Sequence, residues 1–313
     1  MSVRLVLGLC VWLCCAATVW AAEPPKLDDL LARMPVLSTN NEDVQSCEVI
    51  YSISQLGPFS FCSHVAWDRK QGPDAVGAVI IDPVGDVPIG IFSRGEAFLY
   101  DIIGQRGIRE DGSWPSLQLA IDEQKKRFTI GYGLTFGKKR DASKELVKFD
   151  CASFLKNCQN PQWTEIGENT WELRADSETG KSFLVCGFDT TSDYPLKTMI
   201  MRDSSEDKQF IEIQVVAVNE PVNELLLTFP AEIEFPDTLP LLSQKEASEG
   251  NLLKKMTDML HMMFAPMALH NQDARKALPV FGDVDWDAAE LKYAEMTPAL
   301  KRLAPEARAA AMK

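Results

Sequence analysis

A serine and a lysine stand three residues apart at Ser153 and Lys156. This is the S-x-x-K spacing of a serine nucleophile and its neighbouring base. That chemistry also needs S-D-N and K-T-G stretches, and the nearest equivalents are residues 192–194 (S-D-Y) and 197–199 (K-T-M). The second of these ends in Met where glycine is required, and both lie in strand-like sequence. We therefore interpret Ser153 and Lys156 as surface residues of a short helix.

A cysteine nucleophile would need a base that lowers the pKa of its thiol. Cys186 lies in the apolar run 183–188, which is typical of a strand with a buried face, and the histidines are His64, His261 and His270. We interpret Cys186 as a buried, unreactive thiol. The sequence therefore predicts no catalytic residue.

Two patterns resemble metal sites without completing them. Asp283, Asp285 and Asp287 alternate as in a calcium loop, but Ala288 and Ala294 hold the positions that need Gly and Glu. We assign Asp287 to the cap of a following helix instead. Soft side chains that would suit copper recur further upstream, at the spacing of an apolar helix face. They are Met256, Met259, His261, Met262, Met263 and Met267. We predict no metal and no cofactor.

The N-terminal segment is typical of an export signal. Arg4 precedes an uncharged apolar run over residues 5–19, and small residues follow at 21 and 22. A run of about 15 apolar residues suits a signal core and is short for a membrane span. We expect cleavage after Ala21 and a periplasmic or secreted protein; an uncleaved membrane anchor is the alternative.

The cysteines beyond this signal are odd in number, so an oxidising compartment would leave at least one thiol unpaired within the chain. Cys47 and Cys62 flank a turn at 55–58, although strict hairpin pairing would place residue 51 opposite Cys62. Cys151 and Cys158 share a helical stretch, about 10 Å apart while the helix holds. We hypothesise the disulfides Cys47–Cys62 and Cys151–Cys158, with free thiols as the alternative.

Net charge limits the partners. The chain carries a formal charge of −13 at pH 7. An acidic surface disfavours nucleic acid and anionic lipid surfaces. No stretch after the signal is long and apolar enough for a transmembrane span. We expect no nucleic-acid partner.

The pattern of apolar residues changes twice along the chain. Residues 26–34 predict a short amphipathic helix, and a period of two then runs from about 47 to 230 with frequent turns. About eleven or twelve strands with short links predict an antiparallel meander that must curl. Prolines at 230, 236 and 240 lead into a helical stretch with an apolar stripe over 252–267.

The sequence thus predicts a mainly β fold with helices (α+β). We expect a curled antiparallel meander sheet or half-barrel with covering helices and a helical C-terminal extension. The expected divisions are a signal peptide (1–21), a β-rich domain (22–240) and the helical extension (241–313).

Three stretches carry a resemblance to a known family. Residues 92–101 (FSRGEAFLYD) form an aromatic hairpin, residues 171–203 read as two middle hairpins, and residues 218–230 (VNEPVNELLLTFP) read as a closing strand. After a signal and a short helix, this order resembles the periplasmic lipoprotein-carrier and lipoprotein-receptor (LolA/LolB-like) fold over about residues 27–236. The mature cysteines, the stretch 150–158 and the helical tail depart from that pattern.

The resemblance implies a non-enzymatic protein that binds a lipid or lipoprotein acyl chain in the concave face of the sheet. Segments 27–34 and 252–267 would then act as lids. The residues expected to line the cavity are Val79, Ile81, Ile89, Ile91, Phe98 and Leu99. The alternative is an envelope structural or protein-interaction module with no small ligand, in which the apolar helix fills the concavity permanently.

Overall fold

A computed structural model of the chain describes residues 23–56, 59–81, 88–101, 106–112, 114–122, 127–135, 145–227, 241–242, 264–265, 268–277 and 284–301. The predicted signal peptide and most of the predicted lid at 252–267 lie outside these residues.

The dominant element is a twelve-stranded sheet. Eleven of its strands pair antiparallel. The twelfth, β16 (Leu241–Leu242), pairs parallel with β7 (Arg106–Asp111). In spatial order the strands are β11 (Gln159–Gly167), β12 (Thr170–Asp176), β13 (Ser182–Asp189), β14 (Leu196–Asp203), β15 (Gln209–Val218), β2 (Ser46–Leu56), β3 (Phe59–Asp68), β4 (Val76–Ile81), β5 (Pro88–Ser93), β6 (Glu96–Asp101), β7 (Arg106–Asp111) and β16 (Leu241–Leu242). The prediction of a mainly β chain with a large antiparallel sheet is confirmed, and the sheet is open rather than a closed barrel.

A second sheet contains four strands and stands apart from the meander. Its order is β1 (Leu37–Ser38), β10 (Val147–Phe149), β8 (Trp114–Asp122) and β9 (Arg127–Thr135). The β8–β9 hairpin was expected within the single meander. It instead pairs through β8 with β10 in parallel. Period-two alternation identifies a strand but does not choose its partner, because backbone pairing is settled by long-range contacts.

The helices are short apart from the last. They are α1 (Leu27–Leu31), α2 (Cys151–Lys156), α3 (Glu224–Leu227), α4 (Gln272–Ala277) and α5 (Trp286–Lys301), with a 3₁₀ turn at Arg69–Gln71. Asp150 caps α2 by accepting a hydrogen bond from the Ser153 backbone N–H. In α5, Tyr293 stacks on Tyr100 with ring centroids 6.4 Å apart.

One face of the large sheet, here called the inner face, packs against the small sheet and helices α1 and α2. A row of opposed residues crosses six neighbouring strands of this face, all of them apolar and buried: Val215, Val49, Val65, Ala78, Phe92 and Ala97. From the covering side come Leu30 and Leu31 of α1 and Phe149 of β10, whose ring lies 5.5 Å from that of Tyr51. Each such side chain contributes about 1.5–3 kcal/mol on burial, so this interface holds most of the apolar core.

The opposite, outer face of the same strands is covered differently. The next row across β2 to β5 reads Glu48, Ala66, Gly77 and Ser93. Residues 219–227, here called the strap, follow β15 and lie across this row, ending in α3. The inner and outer faces are therefore both buried over these strands.

Candidate functional site

The six residues expected to line a ligand cavity are all buried, but they do not share one cluster. Ile89, Phe98 and Leu99 belong to the large core cluster, whereas Val79, Ile81 and Ile91 belong to the smaller cluster beneath the strap, although Phe98 lies directly opposite Ile91 in the strand pairing. A register shift between Ile80 and Ile81 explains part of this division. The shift gives β5 one extra residue, so Ile89 and Ile91 do not share a face as residues two apart in a regular strand would. Ligand contact by these six side chains stays a prediction.

The layer over the inner face shares no strand pairing with the large sheet. Among the described strands, no backbone pair joins the small sheet to the large one, so side chains hold the two layers together. At one corner Arg33, just after α1, donates through Nη1 to the Thr190 carbonyl at 3.0 Å and through Nη2 to the Ser192 carbonyl. The interface is apolar and buried.

The five cysteines among the described residues are free thiols. Cys47 lies opposite Trp67 and Cys62 lies opposite Ser52, so five residues separate the two along the hairpin. They also belong to different faces, with Cys47 in the inner core and Cys62 in the outer cluster. The register of β2 and β3 therefore does not support the Cys47–Cys62 disulfide, whose partners would need to share a row and a face.

The second hypothesised bridge is not formed either. Cys151 opens α2, while Cys158 follows the helix and its thiol donates to the Phe154 carbonyl at 3.2 Å. Cys151 instead has buried neighbours from other elements, since its thiol lies close enough to Cys47, Cys186 and Tyr194 to raise their pKa values. Sequence spacing could not reveal this group, because its members come from β2, α2, β13 and a loop.

Burial keeps these thiols protonated. Desolvation raises the pKa of Cys151 to about 12 and that of Cys158 to about 11. It also raises the pKa of Cys47 and Cys186 well above the ordinary value. Because the thiolate is the nucleophile, none of the four is poised to react at neutral pH. Cys186 is fully buried, as the sequence predicts.

The serine and lysine at S-x-x-K spacing belong to the capping of α2. The Ser153 hydroxyl donates to Asp150 Oδ2 at 2.8 Å, and Lys156 is exposed in the last turn. The interpretation of both as helix-surface residues is confirmed for Lys156, and Ser153 is half-buried at the cap.

The aspartates near residue 285 also serve a helix. Asp285 accepts a hydrogen bond from the Ala288 backbone N–H at 3.0 Å through Oδ1, and α5 begins at Trp286. The cap was expected at Asp287, which instead lies in the first turn, so that assignment was wrong by two residues. Within the described part of the chain, no group of three or more His, Cys, Asp or Glu side chains could hold a metal ion. The copper-like run at 256–263 lies outside it.

A buried, hydrogen-bonded glutamate–histidine pair lies on the outer face, and it was not predicted from the sequence. His64 Nε2 is 2.7 Å from Glu48 Oε1, with the side chains 1% and 8% exposed. The other carboxylate oxygen accepts a hydrogen bond from the Asn223 backbone N–H in the strap at 2.7 Å. Burial alone would raise the pKa of Glu48, but the hydrogen bonds from His64 and Asn223 and the His64 charge outweigh it, so the pKa is lowered.

The strap can lie close to the sheet because three of the four residues in the row beneath it, Ala66, Gly77 and Ser93, have small side chains or none. A Cβ on Gly77 would stand 1.7 Å from the Leu226 carbonyl oxygen. Further along, Arg94 donates through Nε to the Leu227 carbonyl at 2.9 Å. A glutamate and a histidine 16 residues apart give no local signal, although an isolated Glu inside an apolar strand is a feature that could have drawn attention to this position.

The β11 edge of the large sheet is the most exposed strand. Eight of its nine positions are exposed and Trp163 is half-buried. β11 pairs with β12, and among the described residues nothing pairs with its other side. Pro161 and a register shift between Gln159 and Gln162 interrupt its first half, and a second shift follows Glu165, which leaves Gln162–Glu165 as the regular part.

Comparisons with protein-family models and with curated proteins find no match to this chain. Among the described residues, none of the helices has the length and apolarity needed to cross a membrane.

Proposed function

We propose that this chain is an exported, non-enzymatic protein that binds the acyl chain of a lipid or lipoprotein between the inner face of the large sheet and its covering layer. The proposal rests on one observation. A broad apolar face of the large sheet is covered by a second layer, and no backbone pairing among the described strands joins that layer to the sheet. The proposal also draws on the predicted resemblance to lipoprotein carriers and receptors, and the large sheet is open and antiparallel.

The interface is packed in the described structure, so an acyl chain must displace part of the cover. Each buried CH₂ of the ligand contributes about 0.8 kcal/mol, and the ligand's apolar atoms replace contacts that the cover gives up. The Arg33 hydrogen bonds to the 190–192 loop would have to break at the corner where the cover lifts. Entry would therefore be slow compared with binding to an open groove.

The test is titration of the mature protein with a fluorescent fatty-acyl probe. Two variants add the same volume to adjacent strands on opposite faces: Ala78→Leu on the inner face and Ala66→Leu beneath the strap, both substituting buried alanines. We expect saturable binding at one probe per chain, weakened by Ala78→Leu and unchanged by Ala66→Leu. Overpacking costs each variant about 1–3 kcal/mol, so stability serves as the internal control. Absence of saturable binding, or equal loss in both variants, contradicts the proposal.

A protein-interaction role is the second candidate, favoured by the exposed β11 edge. An extended segment of a partner would pair with Gln162–Glu165 and continue the sheet. Thr164→Pro would remove a backbone donor there and abolish such pairing, whereas Thr170→Pro would first disrupt the sheet itself. Retention of a stoichiometric partner by wild type and its loss in Thr164→Pro supports this role; capture by both proteins alike contradicts it.

A further inference from the structure

A small pocket lies where the residues that follow β1 meet the end of β3 and the start of β4. Its volume is about 350 Å³, and its wall comes from the residue after β1, the end of β3, the 3₁₀ turn and the loop into β4. The polar lining includes Thr39, Trp67 and Arg69, and the apolar lining includes Pro73, Ala75 and Val76. A volume of this size suits a small organic molecule.

Hydrogen-bond donors dominate the polar side of this pocket. Trp67 is 1% exposed and its Nε1–H has no hydrogen-bond partner among the described residues. Arg69 uses Nη1 to donate to the Asn41 carbonyl at 2.8 Å, which leaves Nε and Nη2 without an acceptor in the part of the chain described. The Thr39 hydroxyl oxygen accepts from the backbone N–H groups of Leu146 and Val147, so its hydrogen remains to be donated.

The nearby acidic group does not satisfy these donors. The Asp68 carboxylate accepts from the Lys70 backbone N–H at 2.9 Å and from Gln71 Nε2 at 3.2 Å, both within the 3₁₀ turn. A buried indole N–H left unpaired costs free energy that an acceptor ligand would recover. Arg is also the cation that best matches the two oxygens of a carboxylate.

We propose that this pocket binds an organic carboxylate, whose oxygens accept from Trp67 Nε1–H and the Arg69 guanidinium while its apolar part lies against Pro73, Ala75 and Val76. A free small carboxylate and the headgroup of a fatty acid present the same chemistry, and ligand length distinguishes them. The donors lie at the end of β3 and in the 3₁₀ turn that follows, and Trp67 also belongs to the inner-face core.

The experiment follows the Trp67 indole N–H resonance in ¹⁵N-labelled mature protein, assigned as the signal absent from Trp67→Phe. Benzoate, dodecanoate below its micelle concentration and inorganic phosphate are titrated separately. We expect a saturable downfield shift with a carboxylate. Binding of benzoate identifies a small free ligand, and a preference for dodecanoate identifies a fatty acid. A response to phosphate alone overturns the proposal, because the apolar wall would then have no role.

Matched variants separate the site from general effects. Arg69→Gln should weaken carboxylate binding about tenfold or more, because a charge-assisted hydrogen bond is lost. Lys70→Gln removes a neighbouring charge outside the pocket lining and should leave affinity unchanged, as should Trp171→Phe elsewhere in the sheet. If no probe shifts the Trp67 signal, or if Arg69→Gln binds as wild type does, the proposal is overturned. Neither result depends on the fluorescent acyl probe.

Discussion

The inner and outer faces of the large sheet are both buried, but different contacts hold their coverings. The inner face meets a layer of apolar side chains and protonated thiols, an interface with few directional contacts. The outer face holds its strap through the Glu48–His64 pair, the Asn223 N–H and the close approach at Gly77. Apolar layers tolerate sliding and substitution, whereas a buried charge pair accepts one arrangement. The comparison therefore favours the inner face as the face from which acyl binding, as proposed, would displace a covering layer.

The largest expected effect is on the outer face. His64→Leu leaves the Glu48 carboxylate buried without its partner, so the free energy of unfolding should fall by about 3–5 kcal/mol. Urea unfolding at pH 7 measures this. The double variant Glu48→Gln, His64→Leu removes the charge and keeps an acceptor for the Asn223 N–H, and it should recover most of the loss. A double variant as unstable as His64→Leu would show that the charge is not the cause.

Gly77→Ala tests the close approach of the strap. The added Cβ meets a backbone carbonyl at 1.7 Å, so the strap must shift and the protein should lose about 1–3 kcal/mol. Gly167→Ala is the matched control, since its Cβ would meet only Thr170 side-chain atoms at 3.7 Å. Equal stability of the two variants in thermal or urea unfolding would mean that the strap does not bear on Gly77.

Alkaline pH should weaken the inner face. The pKa values of Cys47, Cys151, Cys158 and Cys186 are raised in the folded state, so their contribution is complete below the unfolded pKa, near 9. It is lost as pH rises toward 11 and 12, by up to about 1.4 kcal/mol per pH unit for each thiol. Urea unfolding between pH 8 and 10 should show a shallower slope in Cys186→Ala. An unchanged slope would remove Cys186 from this account.

Acid should weaken the outer face through a single group. The lowered pKa of Glu48 gives stability that is present above its ordinary value of 4.5 and is lost as pH falls through the folded value. The stability advantage of wild type over Glu48→Gln should therefore shrink from pH 5 toward pH 3. Unfolding curves of both proteins across this range measure the difference. A constant difference would show that Glu48 is not the titrating group.

The sequence allowed the strands of the meander to be predicted because their side chains alternate between two buried faces. The turn at Arg94-Gly95 was also predicted, and both residues adopt positive φ there. The departure of β8 and β9 into a second sheet was not, since their alternation would suit either sheet. The Glu48–His64 pair and the Trp67 pocket were missed for a related reason. Each joins residues from separate elements, and only the register of β2, β3 and β4 brings them together.

The two margins of the large sheet differ in what can be added to them. The chain's own residues Leu241–Leu242 occupy the β7 margin, whereas the β11 margin is open among the described residues. The β16 margin is two residues long, whereas β11 runs for nine. A second copy that added its own β11 to this β11 about a two-fold axis would use the long margin of both copies, so further growth would have to proceed through the two-residue margin.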